Sequence, residues 1–241
     1  MIFASGNLPY YCPCCGIRIQ NFVESVDYLG MPDFYDVSLF KNTDQDVQCP
    51  GCASLPRHRI IASWCESHKE VLNGKRILYF APERGMVTWF KTNKIRFTTA
   101  DLFAWDVDLN LDIQDTGLSD ESYDVVICNH VLEHVNGYMT ALKEVRRILS
   151  PEGILLCSFP VNTKVDMVIE DPDVTSPEER LREYGQSDHV RLFGNGADHL
   201  IADAGFNVSI INGDDFPNII RPVTGPCQYD VNRIFRCEKR I

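Results

Sequence analysis

Four cysteines have the types and spacing for metal chemistry. Cys12 and Cys15 (CPCCG) and Cys49 and Cys52 (CPGC) each set two thiols three positions apart at a Gly- or Pro-containing turn. Two such turns supply the four thiolates of a closed tetrahedral zinc site. A closed site has no open coordination position, so its expected contribution is folding energy rather than Lewis acidity. A redox Cys-x-x-Cys or disulfides are the alternatives for this spacing, and Cys14 adds a competing sulfur to the first pair. Cys65, Cys128, Cys157, Cys227 and Cys237 are scattered along apolar segments and read as packing residues.

A second set of residues has the chemistry of proton transfer. His130 and His134 flank Glu133 in NHVLEHV, and Asp188, His189 and Arg191 follow in SDHVR. A histidine facing a crevice can act as a base, while an acid, a histidine and a cation can engage an acceptor molecule. The His-x-x-Glu-His order also resembles an inverted metalloprotease motif, but no third ligand is implied, so a second metal is not expected.

These residues need elements to position them. From residue 77 onward the chain alternates strand-like and helix-like segments. Strands are expected at 77–81 (ILYFA), 96–101, 123–129, 154–160, 206–211 and 233–237, and helices at 86–92, within 130–150, at 177–184 and at 197–204. That rhythm predicts an α/β fold: a doubly wound, mostly parallel, seven-stranded sheet of Rossmann-like type with helices on both faces. A small zinc element is expected over 1–56 and the catalytic domain over 57–241. Residues 161–191, rich in charge and holding Pro172 and Pro177, read as a lid or substrate insertion.

In an open parallel sheet a ligand binds outside the carboxyl ends of the strands. Those ends are the turn at 81–85 and Asp101, which lies about 20 residues further on, as a ribose-binding carboxylate should. A dinucleotide needs glycines and free N–H groups at the turn, whereas this one carries Pro82 and Glu83. S-adenosylmethionine, with adenosine, no phosphate and cationic groups beside the sulfur, suits the acidic turn better.

The strings CPGCASLPRHR, ILYFAPERG, TTADL, LDIQD, YDVVICNHVLEHV, RRILSPEGILL and GQSDHVRLFG together resemble class I S-adenosylmethionine-dependent methyltransferases with an N-terminal Cys-pair element. The first motif departs from the family in lacking a glycine-rich run. The resemblance implies S-adenosylmethionine and zinc as cofactors. It implies that Phe80, Ala81, Glu83 and Gly85 line the methionine end, Asp101 holds the ribose, Asp112 and Ile113 face the adenine, and Asn129 and His130 form the floor near the sulfonium. His130 and His189 are then the candidate catalytic residues, and His134, Asp188 and Arg191 the candidate acceptor-binding residues.

With 23 Lys plus Arg against 34 Asp plus Glu, the 241-residue chain carries a formal charge of −11, which disfavours a polyanionic partner. No apolar run reaches the roughly 18 residues of a membrane span, and the first residues do not read as a signal peptide. The expectation is a cytoplasmic enzyme methylating a small molecule of the sugar or glycoconjugate-intermediate class. A ribosomal-RNA-type methyltransferase and a degenerate, zinc-containing protein-binding module are the alternatives.

Overall fold

The computed structural model describes residues 8–24, 47–217, 219–220 and 229–240. Cys227 and most of the segment between the two cysteine pairs lie outside the described residues. The ILYF run forms β3 (Ile77–Phe80), buried on both faces as an uninterrupted apolar strand must be. Around it lie β4 (Thr98–Asp101), β5 (Leu109–Asn110), β6 (Tyr123–Asn129), β7 (Leu149–Ser158), β10 (Phe206–Ile211) and β12 (Ile234–Lys239). They form one seven-stranded sheet in the order β10-β12-β7-β6-β3-β4-β5. β3 to β7 pair in parallel, whereas β12 runs antiparallel to both β7 and β10. The Rossmann-like architecture expected from the alternation is therefore the one observed.

Side-chain alternation along the strands divides the core in two. Ile77, Tyr79, Val125, Ile127, Ile154 and Leu156 face α1 (Pro56–Ser67), α2 (Arg84–Thr92) and the cysteine-bearing segment. Leu78, Phe80, Val126, Cys128, Leu155 and Cys157 face α3 (Tyr138–Ile148) and α5 (Ala197–Asp203). Ahead of α1, a short hairpin pairs β1 (Tyr10–Cys12) with β2 (Ile17–Ile19). Beyond β7, β8 (Val161–Asn162) and β9 (Phe193–Gly194) join β11 (Tyr229–Asp230) in a three-stranded sheet.

The helix expected within 130–150 is shorter than its apolar spacing suggested. It starts at Tyr138, and residues 131–137 are turns. His130 has a φ of 51°, outside the right-handed helical region. The carbonyls of Leu132, Val135 and Asn136 are taken by the Arg191 guanidinium instead of by a helical ladder. At its other end α3 stops at Ile148 because Leu149 already pairs with Tyr123 as strand. In contrast, α4 (Pro177–Tyr184) has the limits its local signals dictate. Pro177 occupies the first turn, Ser176 and Glu179 form a reciprocal cap, and Gly185 ends the helix at a φ of 83°. Among the described residues no helix is long and apolar enough to cross a membrane.

Candidate active site and cysteine cluster

The sheet order reverses at β3: the chain moves outward to β4 and β5, then returns to β6 on the other side. Such a switch point leaves a crevice at the carboxyl ends of the strands. A cavity of about 470 Å³ lies there. Phe80, Ala81, Asp101, Asp112, Ile113, His130, His134 and Asp188 all line it, so eight residues singled out in the sequence converge on one site.

Two non-glycine residues at the ends of adjacent strands, Ala81 with a φ of 47° and His130 with a φ of 51°, adopt left-handed backbone. Such conformations cost free energy and cluster at functional sites. Asp101 Oδ1 accepts the backbone N–H groups of Phe103 and Ala104 at 2.7 and 2.8 Å. Among the described residues Oδ2 accepts none. Asp112 accepts the Gln114 N–H at 2.8 Å, and Gln114 Oε1 in turn accepts the Gly137 N–H at 2.8 Å, joining this wall to the start of α3. Gln114, Leu102, Phe103, Leu111, Val131 and Val135 also line the cavity. Leu102 and Phe103 directly after Asp101, and Val131 directly after His130, were the available sequence signal for three of these.

Other expected site residues take different places. Glu83 and Gly85 are absent from the cavity wall. The Glu83 carboxylate turns toward α1, 2.7 Å from Arg57 Nη2 and 2.5 Å from His58 Nε2. Burial acts to raise its pKa, but His58 and Arg57 outweigh that and hold it below the ordinary carboxylate value. Gly85 packs against Ser54; an added Cβ would sit 2.7 Å from the Ser54 Cβ. Asn129 is buried beneath the crevice and accepts the Ser158 hydroxyl at 3.1 Å. Arg191 is only 3% exposed. It donates to three carbonyls of the 132–136 turn and to Glu170 at 2.8 Å, so its guanidinium is engaged internally rather than offered to an acceptor.

The histidines form a graded series from the cavity inward. His130 stands in the wall, with Nδ1 3.1 Å from Glu133 Oε1 and its buried Nε2 without a hydrogen-bond partner among the described residues. His134 also faces the cavity, with Nδ1 3.2 Å from Asp188 Oδ2. His189 does not line the cavity. It is buried behind His134, in edge contact at 4.7 Å, with Nδ1 3.0 Å from the Tyr184 carbonyl. Burial lowers its pKa, favouring the neutral ring. His189 thus packs against the His134 ring from outside the cavity wall.

In the half of the core shared with α1 and α2, the Sγ atoms of Cys12, Cys15, Cys49 and Cys52 all lie within 4.8 Å of one another. The closest are Cys12 with Cys52 at 3.6 Å and Cys15 with Cys49 at 3.8 Å. These separations exclude disulfides, and every described cysteine is a free thiol. Arg59, fully buried, braces the cluster. Its guanidinium donates to the carbonyls of Ser54, Val47 at 2.9 Å, and Ile220, and lies over the Phe22 ring. Burial opposes its charge, and the nearby cysteine thiolates favour it.

Residues 65–157 match the family model described as "Methyltransferase domain". An 81-residue segment is 33% identical to the reducing polyketide synthase Preu2 of Preussia isomera, covering 32% of this chain and only 3% of that protein. Among solved structures, the chain is similar to the Burkholderia thailandensis 1,6-didemethyltoxoflavin-N1-methyltransferase, solved with 1,6-didemethyltoxoflavin and S-adenosylhomocysteine. That likeness has a TM-score of 0.51 at 13% identity and covers 77% of this chain and 79% of the other. It is also similar to the [4+2]-cyclase SpnF, with a TM-score of 0.56 at 14% identity over 84% of this chain and 87% of the other. Residues 65–157 are therefore a methyltransferase domain, and the chain shares the Rossmann-like fold of the solved methyltransferase.

Proposed function

We propose that this chain transfers a methyl group from S-adenosylmethionine to a small-molecule acceptor of the sugar or glycoconjugate class. The observation that carries this reading is the charge of the crevice. Among the described residues its wall holds Asp101, Asp112 and Asp188 and no Lys or Arg. Such a wall suits a cationic sulfonium and an uncharged adenosine and opposes phosphate groups. The overall charge of −11 points the same way, against a nucleic acid acceptor. The small-molecule substrate of the toxoflavin methyltransferase is consistent with it.

In this reading Asp101 Oδ2 receives the ribose hydroxyls, Asp112 and Ile113 border the adenine, and Phe80, Ala81 and His130 border the methionine end. When bound, the cofactor supplies an electrophilic methyl group to be displaced in line from sulfur. The protein's main contribution is then to hold the acceptor atom on that line. An acceptor hydroxyl must also lose its proton. The Glu133 carboxylate 3.1 Å from His130 Nδ1 orients that ring, and His130 is the base to which we assign the acceptor's proton. His134 and Asp188 border the acceptor, and residues 161–191 cover it. Glu83, turned away from the crevice, acts through its pairing with His58 and Arg57 to fix the start of α2.

The four cysteines hold a structural zinc ion over the element we assign to residues 1–56. Zn–S bonds of about 2.3 Å in a tetrahedron place sulfurs roughly 3.8 Å apart, which the 3.6 and 3.8 Å separations match. The four thiolates around a divalent ion leave net negative charge, and the Arg59 guanidinium offsets part of it.

A fold shared with a cyclase makes turnover, rather than binding alone, the necessary test. Purified, zinc-loaded protein is incubated with S-adenosylmethionine and a panel of neutral sugars, uncharged glycoconjugates and ribosomal RNA. Acceptor-dependent release of S-adenosylhomocysteine with a sugar-containing molecule supports the proposal. Release with RNA alone replaces it with the nucleic acid reading, and failure to bind the cofactor favours a protein-binding module.

A further inference from the structure

We propose a second metal site, formed by Glu133, His134 and His189, that takes a divalent transition ion at the edge of the crevice. One ligand atom from each residue lies within 4.8 Å of the others. Two imidazoles and one carboxylate are a ligand set suited to zinc, cobalt or ferrous iron. The sequence alone implied no third ligand, because His189 reaches the cluster from a segment more than fifty positions away. The fold supplies it by returning the chain past the 132–136 turn, where the Val190 N–H meets the Glu133 carbonyl at 2.9 Å.

Two independent features point to an ion. The Glu133 side chain is 1% exposed, and beyond the 3.1 Å approach of His130 Nδ1 to Oε1 neither carboxylate oxygen has a donor among the described residues. A buried carboxylate with so little compensation is costly, and a cation supplies what is missing. Second, both histidines are already oriented from behind. His189 Nδ1 donates to the Tyr184 carbonyl, and His134 Nδ1 faces the Asp188 carboxylate, so each ring keeps its lone pair on Nε2. Ligating histidines are characteristically fixed through the other ring nitrogen in this way. Glu133 has two oxygens for its two tasks, one beside His130 Nδ1 and one for the ion.

Three protein ligands leave a tetrahedral ion one further position. His134 belongs both to the cluster and to the cavity wall, so that position is suited to an acceptor oxygen. Coordination orients a hydroxyl and lowers its pKa, which favours an acceptor able to present a hydroxyl to the ion. This role rests on the methyl-transfer reading; occupancy of the site does not.

The test is titration of the zinc-loaded full chain with cobalt(II), followed by visible absorption and elemental analysis. One equivalent of cobalt beyond the cysteine-bound zinc is expected, with ligand-field bands and no thiolate-to-cobalt charge-transfer band. His134→Ala and His189→Ala should each weaken uptake at least tenfold while zinc content stays at one equivalent, and Asp188→Asn should weaken it about tenfold. If the buried His189→Ala variant does not fold, His134→Ala, with its partly exposed ring, decides. No second equivalent, uptake unchanged in the folded histidine variants, or cobalt entering only by displacing zinc overturns the site. S-adenosylhomocysteine calorimetry on the same samples separates the two proposals: absence of cofactor binding overturns the methyl-transfer reading, whereas loss of cobalt uptake alone overturns the metal site.

Discussion

The cysteine cluster and the histidine–glutamate cluster are built on one plan with different reach along the chain. Each is braced by a buried arginine that donates to backbone carbonyls: Arg59 to Ser54, Val47 and Ile220, and Arg191 to Leu132, Val135 and Asn136. The thiols come in local pairs that a tight turn aims at one point. The second cluster combines a turn with a residue returned by the sheet topology. Local spacing can announce a site of the first kind, but only the folded chain reveals one of the second. The surroundings differ as well, since the thiols belong to the packed core beside α1 and α2, whereas the second cluster meets an open crevice through His134.

The largest expected effect tests the first half of this comparison. Cys49→Ser should abolish zinc retention and leave little soluble folded protein, because metal binding in a structural thiolate site contributes to folding, by about 10–16 kcal/mol in small zinc peptides. Elemental analysis and circular dichroism check it; a folded variant retaining one zinc would break the assignment. Next, Arg59→Ala and Arg191→Ala should each destabilise the fold by about 3 kcal/mol or more, since each leaves several buried carbonyls unpaired. Only Arg59→Ala should also reduce zinc retention. Equal zinc loss in both variants, measured beside urea unfolding curves, would deny that the two arginines brace separate sites.

Asp101→Ala should weaken cofactor-product binding by about 10- to 100-fold, the loss of charge-assisted hydrogen bonds worth roughly 1.5–3 kcal/mol. Zinc content and the unfolding midpoint should hardly change. The smallest effect lies away from both clusters. Glu144 accepts hydrogen bonds from Arg147 and from the Thr116 N–H and hydroxyl, and chiefly the Arg147 contact lowers its pKa from 4.5 to about 2. A carboxylate depressed in the folded state stabilises fully above its unfolded pKa, and that contribution is lost as pH falls from about 4.5 to about 2. Glu144→Gln should flatten the urea midpoint over this range; an unchanged acid slope would discount the interaction.

Much of the fold was legible because its signals are local. The ILYF and YDVVICN runs announced central parallel strands, and the Pro177, Ser176–Glu179 and Gly185 signals bounded α4. The turn from 131 to 137 was not legible, because its apolar spacing mimics a helix and the competing hydrogen bonds come from Arg191, far along the chain. The same reasoning separates Asp101 from Glu83. Asp101 ends a strand whose direction carries it to the crevice. The rotation of Glu83 away from it was decided by His58 and Arg57 on α1, whose approach no spacing within the turn encodes.

The central claim is that the crevice is acidic in order to hold an S-adenosyl cofactor, with Asp101 as its ribose anchor. Calorimetric titration of zinc-loaded protein with S-adenosylhomocysteine tests it most directly, run beside Asp101→Ala at matched zinc content. The account predicts saturable one-to-one binding in the parent and at least a tenfold loss in the variant. No binding by the parent, or equal affinity in both proteins, would contradict it.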